Sequence, residues 1–319
     1  MASLTAPAAV AASLGAMEGD AWTVEGIVAR RAKSRIFLAR SASRAAAIKE
    51  CLIFETALPD RVAAEREFGA LTTLLGRTSA SGLRPLAPTP LVLCREHAAY
   101  AMTWISGRTA TEAVLSSSAD LGRATKLGES AGDWLRRFHS FRPLPVRRND
   151  YEAKVDYVKQ LAEKAGDREP LLRRAAGVLV DRASDAAAQS MPASWLHGDM
   201  KTDNLLVDGD DMTGLDVQMD IENTVAYDLA PFLNHLCLLR WSPRGLLQRR
   251  KLDRMAQAFL HAYSPEAGHW KLPLLWLRTY LLIQIAAPSA KTPALRTRIA
   301  RWPARMELGI ALDQMEMCR

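Results

Sequence analysis

The chain contains 319 residues, of which 49% are hydrophobic and 24% are charged. This length is sufficient for two domains with a sizeable core, and the charged fraction is close to that of average soluble proteins. No run of about eighteen apolar residues occurs, so the sequence predicts no membrane-spanning helix.

The net charge of +7 is concentrated towards the C-terminal end. Residues 230–319 contain fourteen Lys and Arg against five Asp and Glu, an excess of +9 that leaves about −2 for the rest of the chain. Such an excess indicates either a solvated basic helix face or an anionic partner, such as phosphate, an acidic sugar, nucleic acid or a lipid headgroup. The densest basic patch consists of Arg249, Arg250, Lys251 and Arg254.

The N-terminal segment and the cysteines carry little functional signal. Residues 1–20 are rich in small side chains, and we expect a mobile lead-in with at most a short helical turn. No Lys or Arg precedes Arg30, so a secretory signal with a basic start is not expected. The cysteines are too far apart to indicate a zinc site or a disulfide framework, and they fit a reducing cytoplasm. They are Cys51, Cys94, Cys237 and Cys318.

The first hundred residues predict a small sheet with one helix. Within residues 22–54 the stretches WTVEGIV, RIFLAR and AAAIKECLIF are rich in β-branched, aromatic and aliphatic side chains that favour strands. Residues 60–76 have helical spacing, with Asp60 suited to the start and Gly76 to the end. After a proline-rich connection, LVLC and YAMTWI predict two further strands.

The rest of the chain predicts mostly helices. Residues 121–140 place apolar side chains at helical spacing, residues 151–187 predict one or two helices, and the chain is helical from residue 226 onwards. We therefore predict an α+β protein with a β-rich N-terminal lobe at residues 21–105 and a larger, mostly helical lobe at 106–319. The hinge is expected at residues 103–108.

A polar loop, HGDMKTDN, lies between apolar stretches at residues 197–204. Apolar flanks on both sides favour a rigid loop, and a rigidly held carboxylate such as Asp199 can accept a proton from an incoming hydroxyl. Asn204 in the same loop and Asp216 after the next strand supply oxygen donors, which hard cations such as Mg²⁺ prefer.

Together, HGD-x-x-x-x-N, a following Asp and the sequence AYDLA at residues 226–230 resemble the aminoglycoside phosphotransferase and choline kinase family. The resemblance implies a two-lobed, protein-kinase-like fold that uses ATP and Mg²⁺. It implies that Asp199 is the catalytic carboxylate, that Asn204 and Asp216 bind metal, and that Asp228 braces the catalytic loop.

The resemblance leaves two assignments in this region open. Asp216 lies twelve residues before Asp228, as the family pattern requires, whereas Asp220 is the alternative metal ligand at a spacing of eight. His197 is expected to be a buried, hydrogen-bonded scaffold residue rather than a base. Lys201 is expected either to neutralise the charge of the transferred phosphate or to face solvent.

The N-terminal lobe is expected to hold the nucleotide. By the same resemblance, Lys49 on a strand would bind the nucleotide phosphates, and Glu67 on the helix that follows would orient it. Glu67 shares the apolar helix stripe, whereas the alternative, Glu65, points about 160° away from it. An unpaired inward carboxylate is costly to bury, so a Lys49–Glu67 ion pair accounts for both residues.

Two further nucleotide contacts follow from the resemblance. The turn ARRAKSR lacks the usual glycines, so Ser34, with the backbone amides of residues 32–35, would cap a phosphate, and Lys33 or Arg31 would add charge. The backbone at Thr103, Trp104 and Ile105 would bind the adenine edge, although Trp104 could equally be a core residue.

The expected function is therefore transfer of the γ-phosphoryl group of ATP to a hydroxyl of a small molecule or glycan. The basic C-terminal region favours a neutral or anionic acceptor over a polycationic aminoglycoside, and it leaves a peripheral contact with an anionic membrane surface open. The alternatives are a catalytically inactive kinase-like binding module and a nucleic-acid-binding protein. No nucleic acid is expected as a partner, because no recognition motif accompanies the charge. The sequence leaves open whether the protein is a monomer or a homodimer.

Overall fold

The computed structural model of the protein describes residues 5–80, 84–165, 169–287 and 294–318. The chain folds into two compact units. The first unit contains Met1–Arg108 and Leu206–Met219, and the second contains Thr109–Leu205 and Asp220–Arg319.

The strands of the described residues are short. They are β1 (Thr23–Arg31), β2 (Ser34–Arg40), β3 (Ala45–Cys51), β4 (Pro90–Cys94), β5 (Ala99–Thr103), β6 (Arg108–Thr109), β7 (Pro143–Arg148), β8 (Ser190–Trp195), β9 (Leu205–Asp208), β10 (Asp211–Gly214) and β11 (Glu222–Thr224).

Helices account for most of the second unit. They are α1 (Ala6–Glu18), α2 (Arg61–Ala80), α3 (Ala110–Leu115), α4 (Leu121–Ser140), α5 (Glu152–Ala165), α6 (Pro170–Ala188), α7 (Ala226–Leu239), α8 (Pro243–Leu247), α9 (Arg249–Tyr263), α10 (Lys271–Ala286) and α11 (Ala294–Met317), of which α1 and α2 belong to the first unit. Of the helices that the structure describes, none is both long and apolar enough to cross a membrane.

The first unit is built on an antiparallel sheet with the strand order β1-β2-β3-β5-β4. Strand β3 is central and almost entirely buried, because its small residues Ala46 and Ala47 and the branched Ile48 allow layers to pack on both faces. Lys49 lies in this strand between Ile36 of β2 and Tyr100 of β5. The strands predicted from residues 22–54 and from LVLC and YAMTWI are confirmed.

The helix α1 replaces the expected mobile lead-in. Residues 1–4 lie outside the described residues, but Ala6–Glu18 form a helix that ends at Gly19 in the left-handed conformation. Its Val10 and Leu14 are buried against Ile48 of the sheet. The prediction was wrong for residues 6–18, because small alanine side chains give a weak helical periodicity yet allow close packing on a sheet.

Two details of the first unit differ from the predicted boundaries. Helix α2 continues past Gly76 to Ala80, and Thr78 in its last turn donates to the carbonyl of Leu74. The segment Leu206–Met219 belongs to the first unit, although the sequence assigned it to the larger lobe. Gly214 N–H donates to the Leu86 carbonyl at 2.8 Å, which ties the β9–β10 hairpin to this unit.

The core of the second unit includes a close contact between α4 and α9. Added Cβ atoms at Gly128 and Gly132 would collide with the backbone carbonyls of Met255 and Phe259, so glycine is required for this approach. Helix α4 covers the residues predicted for it, 121–140. A small antiparallel sheet of β11, β8 and β7 completes the unit, and the predicted α+β class is confirmed.

Replacing Leu14 by Ala tests the packing of α1. The Leu14 side chain is 1% exposed, and its truncation should cost about 2–4 kcal/mol of stability and lower the melting temperature by several degrees. Met17 lies on the same helix but is 65% exposed, so Met17→Ala should leave the melting temperature almost unchanged. Equal effects of the two substitutions in thermal denaturation would contradict the packing described for α1.

Candidate active site

A cluster of charged side chains lies on the sheet of the first unit. Lys49 Nζ is 2.6 Å from Glu67 Oε2 and 2.7 Å from Asp216 Oδ1. The other oxygen of Asp216, Oδ2, accepts a hydrogen bond of 2.6 Å from Arg31 Nη1. The cluster therefore joins two cations and two carboxylates from β1, β3, α2 and the segment after β10.

The carboxylates keep the buried Lys49 charged. Burial alone lowers the pKa of Lys49, but the charges and hydrogen bonds of Asp216 and Glu67 outweigh it and raise the pKa above its usual value. Tyr100 also donates its hydroxyl to Glu67 Oε2 at 2.9 Å. Burial and the adjacent Glu67 raise the pKa of the Cys51 thiol to about 12, so this thiol stays neutral.

The structure distinguishes the alternatives that the sequence left open around this cluster. Glu67 pairs with Lys49 as predicted, whereas Glu65 faces Arg95 at 3.4 Å and is half exposed. Asp216 contacts Lys49, while Asp220 is exposed and belongs to the second unit. Asp216 also has φ = 55°, a left-handed conformation that is uncommon for a residue other than glycine.

The turn between β1 and β2 differs from its prediction. Ser34 is only 5% exposed and pairs with Cys51 in the ladder between β2 and β3. A buried hydroxyl has little surface to offer a phosphate, so the assignment of Ser34 as the phosphate cap is not supported. Arg31, at the other side of the turn, is the residue that reaches the charged cluster.

The segment predicted to bind the adenine edge is partly committed to the sheet. Thr103 N–H donates to the Thr89 carbonyl at 2.9 Å, and Trp104 N–H donates to the Ala45 carbonyl at 3.2 Å. Trp104 is half-buried. Of the three predicted residues, Ile105 is the one whose backbone N–H has no partner in the described part of the chain.

The loop at residues 197–204 is organised in the second unit around Asp199. Lys201 Nζ lies 2.6 Å from Asp199 Oδ2. Asn204, which is fully buried, donates through Nδ2 to the backbone oxygen and to Oδ2 of Asp199, both at 2.9 Å. The Asp199 side chain is 42% exposed, so this carboxylate is fixed in orientation while remaining accessible.

The side chain of Asp228 fixes the start of this loop through hydrogen bonds to its backbone. It is completely buried, and its carboxylate accepts hydrogen bonds from the backbone N–H groups of His197 at 2.7 Å and Gly198 at 3.1 Å. His139 Nε2 lies 2.9 Å from Asp228 Oδ2. Burial alone raises the pKa of Asp228, but these donors and the adjacent histidines lower it below its usual value.

His139 is a site residue that sequence reasoning missed. Its Nδ1 lies 2.8 Å from the Tyr263 hydroxyl, so the neutral tautomer that donates from Nε2 to Asp228 accepts from Tyr263 at Nδ1. The only sequence signal was its place in WLRRFHS at the end of α4. Nothing in that position indicates a carboxylate partner 89 residues away.

A second histidine braces the other end of the loop. His235 Nδ1 lies 2.7 Å from the Thr202 hydroxyl, and its Nε2 lies 3.5 Å from Asp203 Oδ2. The hydrogen bond from His235 is the main reason why the pKa of Asp203 is lowered to about 2. His197 is fully buried against Trp134 and Phe138, which suits the predicted scaffold role and excludes direct access to substrate.

Asn204 and Asp216 each offer an oxygen donor of the kind that suits a magnesium ion. Both amide hydrogens of Asn204 face Asp199, so Asn204 could ligate a cation only through its amide oxygen. Asp216 offers a carboxylate. Among the described residues no group of three or more His, Cys, Asp or Glu is arranged to hold a metal. A cation with few protein ligands and additional water or phosphate oxygens is the coordination typical of Mg²⁺ rather than Zn²⁺.

Comparisons with known proteins give one family and one fold. The model of the phosphotransferase enzyme family, APH, matches residues 53–274, which is more than half of the chain. A homoserine kinase from Methylobacterium nodulans is 28% identical over 225 residues, which cover 68% of this chain and 68% of that protein.

Two solved structures with the same fold bear the names of a kinase and a phosphotransferase. A glucosamine kinase in complex with glucosamine, ADP and inorganic phosphate superimposes with a TM-score of 0.62 at 15% identity, covering 93% of this chain and 83% of that chain. An ADP-bound aminoglycoside phosphotransferase gives a TM-score of 0.58 at 14% identity, covering 97% and 98% of the two chains. The predicted kinase-like fold and the resemblance stated from the sequence are confirmed.

Replacing Asp228 by Asn tests the buried brace. The amide removes the charge that three donors compensate, and it should cost about 3 kcal/mol or more at neutral pH. Because the folded-state pKa of Asp228 is lowered, its contribution is complete above the unfolded pKa of about 3.9 and is lost as the pH falls from there through the folded-state pKa. The gap in melting temperature between the variant and the original protein should therefore narrow in acid.

The control for this substitution is Asp133→Asn, because Asp133 forms an exposed pair with Arg136 on α4. That surface pair should contribute little at any pH. Thermal unfolding recorded between neutral pH and pH 3 measures both variants. A gap for Asp228→Asn that stays constant across this range would show that its charge is not the stabilising feature.

Proposed function

The chain belongs to the phosphotransferase enzyme family, and on that premise we propose that it is a kinase that uses ATP and Mg²⁺ to phosphorylate a hydroxyl group of a small molecule. The observation that carries this proposal is the arrangement around Asp199. An accessible carboxylate is held by a buried Asn and an adjacent Lys in a loop that a second, buried carboxylate fixes in place.

In this proposal the first unit binds the nucleotide. Lys49 stays protonated between Glu67 and Asp216, so it presents a permanent positive charge to the α- and β-phosphates. Arg31, on the β1–β2 turn, adds a second cation that can form a charge-assisted, bidentate contact with a phosphate. The amide of Ile105 is the proposed donor to the adenine edge.

The second unit provides the proposed catalytic carboxylate. Asp199 accepts the proton of the acceptor hydroxyl as the oxygen attacks the γ-phosphorus, the bond to the β,γ-bridging oxygen breaks, and ADP leaves. Asn204 prevents the carboxylate from rotating, and Lys201 balances its charge and is the proposed cation that stabilises the transferred phosphate. When bound, Mg²⁺ would neutralise phosphate charge. The ligand proposed from the second unit is the amide oxygen of Asn204, and the ligand proposed from the first unit is the carboxylate of Asp216.

The acceptor is proposed to be neutral or anionic. Residues 230–319 carry an excess of nine positive charges, and a cavity of about 420 Å³ in the second unit is lined in part by His261, Lys271 and Arg278. Arg278 donates to Asn234 Oδ1 and Cys237 Sγ, neither of which is an ionised carboxylate. Homoserine, the compound in the name of one relative, carries a carboxylate and has no net charge, and such an acceptor fits this environment better than a polycation does.

Two substitutions should separate catalysis from nucleotide binding. Asp199→Asn removes the base, so kcat should fall by about 10²–10⁴-fold while the KM for ATP changes little. Arg31→Gln removes a phosphate contact and should raise the KM for ATP by about tenfold with a smaller effect on kcat. ADP release with a working acceptor measures both constants, and Arg30→Gln is the matched control on the exposed edge of β1.

The outcomes of this experiment are distinct for the competing functions. Nucleotide binding without turnover of any acceptor would favour the inactive binding module over the kinase. Turnover that survives Asp199→Asn would place the catalytic base elsewhere. Melting temperatures of the variants distinguish loss of chemistry from loss of folding.

The preference for the acceptor is tested with a panel of compounds at equal concentration. The protein should consume ATP faster with neutral sugars, acidic sugars or hydroxy amino acids than with kanamycin-type aminoglycosides. The reason is that the basic residues of the second unit repel a polycation. Raising the ionic strength should narrow the difference. Faster phosphorylation of the aminoglycosides would overturn the proposed acceptor class while leaving the kinase assignment intact.

A further inference from the structure

A surface groove lies where α8 ends and α9 begins, beside the start of α4. Its volume is about 410 Å³. We refer to this groove, together with the adjacent Arg244, as the leucine–arginine corner. The groove is lined by Leu121, Leu246, Leu247, Gln248, Arg249, Arg250 and Lys251.

The corner exposes three leucine side chains to solvent. Leu247 is 83% exposed, Leu246 47% and Leu121 49%. Helix α8 is fixed at its base, because Ser242 caps it and Gly245 packs so closely on the Leu239 carbonyl that a Cβ would collide with it. The leucines are therefore presented to solvent by a constrained turn, and clustered exposed apolar side chains typically mark an interaction surface.

The arginines of the corner are not engaged in ion pairs. In the part of the chain that the structure describes, Arg244, Arg249 and Arg250 form no salt bridge, although Arg249 lies over the Trp241 ring at 4.6 Å. By contrast, the adjacent Arg240 is paired with both Asp253 and Glu307. The positive charge of the corner is thus left available to a partner.

The position of the charges is unfavourable for the helix itself. Arg249, Arg250 and Lys251 occupy the first turn of α9, which contains no acidic residue and has no side-chain cap. Cations at this end are repelled by the helix dipole, which favours acidic side chains there. Helix stability therefore does not explain the cluster, whereas binding of an anionic surface does.

We propose that the leucine–arginine corner docks on the surface of an anionic phospholipid bilayer. The arginines lie against lipid phosphates while Leu246 and Leu247 enter the boundary between headgroups and acyl chains. Nucleic acid offers phosphates but no apolar layer for the leucines. A second copy of the chain meeting the same corner would bring like charges together.

This docking is independent of the proposed phosphotransfer. None of the corner residues belongs to the loop at residues 197–204 or to the charged cluster of the first unit. Loss of docking with intact turnover, or the reverse, therefore separates the two proposals.

Flotation of the 319-residue chain with phospholipid vesicles tests the docking. Vesicles of phosphatidylcholine with one quarter phosphatidylglycerol should bind the protein, and vesicles of phosphatidylcholine alone should not. Replacing Arg244 and Arg250 by Gln should weaken binding roughly thirtyfold, since each basic residue near the surface contributes about one factor of five. Leu247→Ser should weaken it by about tenfold without changing its dependence on salt.

Matched controls lie on other surfaces. Leu58 is 59% exposed, so Leu58→Ser makes the same chemical change away from the corner, and Arg30→Gln with Arg148→Gln makes the same change of charge. All variants are compared by melting temperature. Equal weakening by the control variants would contradict docking through this corner.

Three other outcomes would overturn the proposal. The first is equal binding to neutral and anionic vesicles, or binding to neither. The second is duplex DNA binding that matches the vesicle affinity and is unaffected by Leu247→Ser, which would identify a nucleic-acid surface. The third is a dimer in sedimentation that Leu247→Ser dissociates, which would identify the corner as a contact between copies.

Discussion

The compensation of a fully buried carboxylate is the constraint on which the loop at residues 197–204 depends. Asp228 has no exposure to water, and an isolated ionised carboxylate in that environment would be very costly. Its charge is stable because His139 and two successive backbone N–H groups of the loop donate to it. The same hydrogen bonds that stabilise the carboxylate also fix the backbone at His197 and Gly198. They therefore fix the backbone position from which the Asp199 side chain extends.

The first unit applies the same rule to a cation. Lys49 lies in the central strand of the sheet, where only a charged partner makes an ammonium group tolerable. Glu67 and Asp216 supply that partnership, and Arg31 balances the second carboxylate. Four charges from distant parts of the unit thus stabilise one another and fix the positions of these side chains.

Much of this arrangement could be predicted from local sequence, and the failures have a common cause. The motif spacing indicated Asp199, Asn204 and Asp216, and the periodicity of α4 indicated its bounds. The braces His139 and His235 were missed, because each acts on a residue remote in sequence and neither follows a local pattern. The helix α1 was missed because its alanines lack periodicity, although they pack well against the sheet.

The sequence by itself determined the composition of the loop, the strands and helices that follow α1 in the first unit, and the family to which the chain belongs. Only the tertiary structure decided which charge meets which: Arg31 pairs with Asp216, although 185 residues separate the two partners. Helical and strand periodicities report which face of an element is buried, and they do so over a few turns. These periodicities carry no information about which distant carboxylate a buried cation will contact. The pairing depends on how the helices and strands pack against one another.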